Sequence, residues 1–100
     1  MRKRVLLAEQ SDATRSVAES LLRQNGFEVI SVAAAENALE VLKFTRPDLI
    51  ILGGDMTTPD RKPLYERIRN DSKTSAIALL LFDTAASDLP FPPEVIIPRP

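Results

Sequence analysis

The sequence has no cysteine, no histidine and no tryptophan, only three glycines, and an aromatic content of 5%. Each absence excludes some chemistry. Without cysteine there is neither a disulfide nor a thiolate nucleophile. Without histidine as well, Ser-His and Cys-His catalysis and the usual zinc sites are excluded. No charge sign dominates: thirteen Lys and Arg against fourteen Asp and Glu leave a formal net charge of -1. That balance gives no field for gripping a phosphate backbone, so direct nucleic-acid binding is not expected. No apolar run approaches membrane-spanning length. After the basic start Met1-Arg2-Lys3-Arg4, only Val5 to Ala8 are apolar before Glu9 and Gln10. That stretch is too short for a signal peptide, so a cytoplasmic protein without a membrane partner is expected.

What is present is ordinary. One hundred residues, 44% apolar and 27% charged, make one small globular domain with a modest core. The run Val5-Leu6-Leu7-Ala8 has no helical period and reads as a strand buried on both faces. Ser11 and Asp12 are N-cap candidates for a helix running to about Asn25. Its inward stripe is expected to hold Ala13, Val17 and Leu21 together with Ala18 and Leu22. Gly26 is placed to end that helix in a left-handed conformation, with Phe27 folding back onto Leu22. Glu28 to Val32 reads as a second strand near the sheet edge, and Ala34 to about Phe44 as a second helix stopped by Arg46-Pro47.

Leu49 to Leu52 is the third strand, opening into a polar loop from Gly53 to Lys62. Pro63 suits the first turn of a third helix with Leu64 and Ile68 on its apolar edge. Ala76 to Phe82 and Val95 to Ile97 are the fourth and fifth strands. Strands alternating with helices predict right-handed crossovers and a parallel sheet.

The order of elements and its local motifs resemble the receiver domain of two-component response regulators. The resemblance is carried by Val5-Leu6-Leu7-Ala8-Glu9-Gln10-Ser11-Asp12, by Asn25-Gly26-Phe27-Glu28-Val29, by Ala38-Leu39, by Arg46-Pro47-Asp48-Leu49-Ile50-Ile51-Leu52 and by Ile97-Pro98-Arg99-Pro100. It implies an α/β, flavodoxin-like, doubly wound five-stranded parallel sheet in the order 2-1-3-4-5. It also implies phosphorelay signalling, in which a histidine kinase phosphorylates an aspartate and the domain changes the surface it offers.

Carried over position by position, the family's acidic pair for Mg²⁺ falls on Glu9 and Gln10, and its phosphoacceptor aspartate on Gly53. The hydroxyl position after strand four falls on Asp83, with Thr84 beside it, and the lysine after strand five falls on Arg99. The implied module is a degenerate receiver, not an enzyme, acting through protein contacts without phosphorylation, with no resident cofactor and an ion pair between Arg99 and Glu9 or Asp83. Two alternatives remain open. Asp55 could accept the phosphoryl group, with Glu9 and Asp55 around Mg²⁺, or the emptied pocket could hold a small anion. Gly53-Gly54 also has a plainer reading as a flexible turn, Glu9 as a solvated strand end, and Tyr65 as a surface aromatic.

Between strands four and five only Thr84 to Glu94 remain, so helix four is expected to be reduced. The family's helix five has no counterpart before Pro100. The sequence therefore reads as the N-terminal part of a longer bacterial protein, whose partner is another protein or its own downstream domain. A homodimer through the uncovered sheet face or the strand-five edge is also open.

Overall fold

A computed structural model of the chain describes residues 2–53, 55–82 and 95–97. Five parallel strands, β1 (Arg4–Ala8), β2 (Glu28–Val32), β3 (Leu49–Gly53), β4 (Ala78–Phe82) and β5 (Val95–Ile97), form one sheet in the order β2-β1-β3-β4-β5. Three helices, α1 (Asp12–Gln24), α2 (Ala35–Phe44) and α3 (Leu64–Asn70), connect them among the described residues. The expected architecture and strand order are those observed. The segment expected to hold a reduced helix four lies outside the described residues.

Parallel strands covered on both faces need apolar side chains at successive positions, and β1 and β3 supply them. Leu6, Ala8, Ile50, Leu52, Leu79 and Leu81 point to one face, where Ala35 and Ala38 of α2 and Leu64, Tyr65 and Ile68 of α3 close over them. Val5, Leu7, Val29 and Ile51 point to the other face, where Ala18 and Leu22 of α1 and the following Phe27 pack.

The entry to the sheet is fixed by polar contacts: Arg4 N–H donates to the Asp48 carboxylate and Asp48 N–H to the Arg4 carbonyl, each at 2.8 Å. The end of α1 follows the expected C-cap. Gly26 adopts φ 86°, its N–H bonds Arg23 O at 3.1 Å, and Phe27 N–H bonds Leu22 O at 3.1 Å.

Three expectations are corrected. Val17 and Leu21 are 48% and 55% exposed and Ala13 is exposed, so the inward side of α1 is the Thr14, Ala18 and Leu22 side alone. The sequence offers two adjacent apolar ridges four residues apart, and a helix lying on a flat sheet buries only one of them. Tyr65 is buried in the α3 face of the core. Gly53 belongs to β3, paired with Phe82, and does not begin the loop.

Candidate functional site

In open parallel sheets, ligand chemistry gathers at the carboxyl ends of the strands. Here β1 ends at Ala8, which is in register with Leu52 of β3, so the next residues on the two strands are Glu9 and Gly53. Glu9 is 0% exposed, which rules out the solvated strand end. Its N–H donates to Val32 O at 3.1 Å, holding the residue alongside β2. Its Oε1 accepts the N–H of Ser11 at 3.1 Å, and its carbonyl accepts Nη1 of Arg15 at 2.8 Å. The carboxylate thus accepts the backbone N–H of the residue that caps α1. Ser11 caps the same helix, its Oγ accepting Thr14 N–H at 3.3 Å. Arg15 completes the arrangement with an ion pair to Asp12.

Gln10 is exposed, beside the site. Gly53 is buried, and its carbonyl accepts Met56 N–H at 3.2 Å. Among the described glycines only Gly26 has positive φ, so Gly53 holds ordinary strand backbone that any residue could adopt. The turn reading fails for Gly53: no backbone requirement places glycine there. Asp55 is exposed, beyond the strand end. Gly54, Asp83, Thr84 and Arg99 lie outside the described residues, and with them the ion pair expected of Arg99.

The rest of the β3–α3 loop is tied internally. An antiparallel bridge joins Thr57 to Pro63. The buried Thr58 accepts Lys62 N–H through Oγ1 at 3.3 Å, donates its N–H to Lys62 O at 2.8 Å, and donates its hydroxyl to the Asp60 carboxylate. That hydroxyl bond holds the Asp60 carboxyl below the usual carboxylate range, outweighing a small opposing effect of desolvation. Arg61 takes φ 64° at the tip. Thr57 and Thr58 are therefore local loop-builders, as their residue types suggest.

Mg²⁺ demands near-octahedral oxygen donors, usually with more than one carboxylate. The described donor set is short of charged oxygens for it: Glu9 is a single carboxylate whose Oε1 accepts the Ser11 N–H, Gln10 is a neutral amide and Gly53 has no side chain. No group of three His, Cys, Asp or Glu side chains lies together among the described residues. None of their helices is long and apolar enough to cross a membrane.

Phe44 escaped the sequence reading. It is 81% exposed at the last position of α2, off the inward stripe of Ala35, Ala38 and Leu42. The usable signal was a large apolar residue one step outside the helical period.

The family model that matches this chain is the response regulator receiver domain, over residues 5–94. Transcriptional regulatory protein AfsQ1 of Streptomyces coelicolor is 32% identical over 85 residues, covering 85% of this chain and 36% of the relative. The chain thus spans about a third of the curated relatives it matches. Among solved structures, the N-terminal domain of a response regulator receiver protein from Methanoculleus marisnigri JR1 superposes with a TM-score of 0.81 at 26% identity, covering 97% of this chain and 84% of that one. The receiver domain of the sensor histidine kinase PA1611 from Pseudomonas aeruginosa PAO1, solved with magnesium in its active-site cleft, gives a TM-score of 0.79 at 19% identity, covering 100% of this chain and 87% of that one.

Proposed function

The chain belongs to the response regulator receiver domain family of two-component signalling, and we propose that it works there as an interaction module that never carries an acyl phosphate. One observation carries this reading. Gly53, the residue that ends β3 beside Glu9, has no positive φ that would call for glycine and yet offers no carboxylate to phosphorylate. The surroundings support it. Glu9 serves the N-terminus of α1, and Gln10 contributes no charge. At the family's remaining positions the sequence has Asp83, whose charge would repel a phosphoryl oxygen, and Arg99 in place of the lysine.

Output then comes from a fixed shape and surface, directed at another protein or at a domain of the same regulator, in a bacterial cytoplasm. The AfsQ1 relative is a transcriptional regulatory protein, which supports a regulator of that kind as the setting.

The test is incubation with a small phosphodonor and Mg²⁺, followed by intact-mass measurement. The expected spectrum shows unmodified protein. A stoichiometric adduct that disappears in Asp55→Asn would reject this reading in favour of an atypical receiver using Asp55.

A further inference from the structure

At the amino ends of the strands, roughly 16 Å from Glu9 and Gly53 at the rise of a five-residue strand, the C-terminus of α2 and the turn before β4 enclose a hollow of about 270 Å³. Its apolar surface comes from Leu42, Phe44 and Ile77, and its rim carries Lys43, Arg46 and Lys73. No carboxylate lines it. We propose that this hollow is a docking site for an acidic peptide segment of a partner protein, which seats one large apolar side chain against Phe44 and places flanking carboxylates on Arg46 and Lys73. The proposal rests on the reading of the chain as an interaction module and names the partner class. It does not depend on the state of the Gly53 end.

Three observations select that occupant. The first is charge. The chain as a whole is nearly neutral, at -1, yet this opening is purely cationic. Lys43 has an ion pair with Glu40 at 3.2 Å, but Arg46 Nη1 donates to the carbonyl of Lys73, and no carboxylate meets either Arg46 or Lys73 among the described ion pairs. Asp71, two residues before Lys73, is turned to the backbone, its Oδ1 accepting Lys73 N–H at 2.9 Å.

The second is size. Small-molecule sites run from about 300 to 1,000 Å³, so this open hollow is at the small end of that range and has room for one anchoring side chain. An exposed aromatic beside arginine is also the composition of an interface anchor.

The third is rigidity. Arg69 Nη1 donates to Ser75 O at 2.8 Å and to Ile77 O at 2.7 Å, and Thr74 Oγ1 donates to Ile68 O at 2.6 Å. The wall that carries Lys73 is therefore already held in place, which lowers the ordering cost of binding.

The experiment is a fluorescence-anisotropy titration of the full chain against a short fluorescein-labelled peptide with one central Phe between Asp-Glu pairs. Saturable binding that weakens with added salt is expected. Phe44→Ala and Lys73→Glu, both at exposed positions, should each weaken it about tenfold, while Glu36→Lys at the far end of α2 should not. Binding that is unchanged in Phe44→Ala and Lys73→Glu, or absent at millimolar protein, would overturn the proposal. So would displacement of the peptide by equimolar inorganic phosphate or ATP, which would mark a plain anion site. Concentration-dependent self-association abolished by Phe44→Ala would instead assign the surface to a second copy. Neither result bears on the mass measurement at the Gly53 end, so the two readings fail separately.

Discussion

Helices α1 and α2 flank the same sheet and are held to it by different means. α1 is tied by hydrogen bonds at both ends and lays one ridge, Ala18 and Leu22, on the sheet. Ser11 caps its first turn, Arg15 ties it to the Glu9 carbonyl, and Gly26 and Phe27 close its last turn, while Val17 and Leu21 stay in water. α2 has no side-chain cap at Ala34, and it relies on burying Ala35 and Ala38 under the core that α3 completes. α1 thus adds local hydrogen bonds at both ends to its packing, whereas α2 starts without a side-chain cap. The carboxyl-end site adjoins the α1 side, because the Glu9 carboxylate accepts the N–H of Ser11, the residue that caps α1.

Core truncation should show the largest effect. Leu79→Ala, in the α2–α3 core with 0% exposure, is expected to cost about 2–5 kcal/mol by urea unfolding. By contrast, Leu21→Ala at 55% exposure should change stability by less than about 0.5 kcal/mol, as surface substitutions usually do. A Leu21 cost as large as that of Leu79 would mean that the outer stripe of α1 is covered in solution, and the contrast between the two sides would vanish.

The ends of α1 come next. Gly26→Ala meets no atom within 4 Å of the new Cβ but must hold φ 86°, so the expected loss of about 1–2 kcal/mol is purely conformational. Ser11→Ala removes the cap on Thr14 N–H and should cost about 1 kcal/mol. Both losses should appear in the thermal unfolding midpoint. If neither substitution moves it, α1 is held by packing after all.

The smallest effect is local and depends on pH. The Thr58 hydroxyl depresses the folded pKa of Asp60, so the ionised carboxylate is favoured by the fold. That contribution is complete above the unfolded value and is lost as pH falls through the lowered one. Amide-exchange protection of the 58–62 loop should therefore drop only in acid, below the usual carboxylate range. Asp60→Asn should remove that dependence.

Much of the fold was legible in the chain. The short, uninterrupted apolar runs of β1 and β3 read best as doubly covered parallel strands, and the Ser11 and Gly26 signals marked both ends of α1 because capping is chemistry within a few residues. The site was legible as residue types: an acid at Glu9, a neutral amide at Gln10 and no side chain at Gly53. Whether Glu9 is solvated or committed was not legible, since its partner Ser11 becomes one only once the strand end turns into the helix. Nor could the sequence say which ridge of α1 faces inward, because Ala18-Leu22 and Val17-Leu21 have the same period.

The sequence by itself determined the order of elements and the ends of α1, which are set by neighbours along the chain, and the residue types Glu9, Gln10 and Gly53. Only the tertiary structure decided that Gly53 is strand rather than turn, that Tyr65 is core, and that Phe44 stands exposed beside Arg46 and Lys73. Those outcomes depend on which elements the crossovers bring side by side, and contacts between residues far apart in the chain leave no local trace in it.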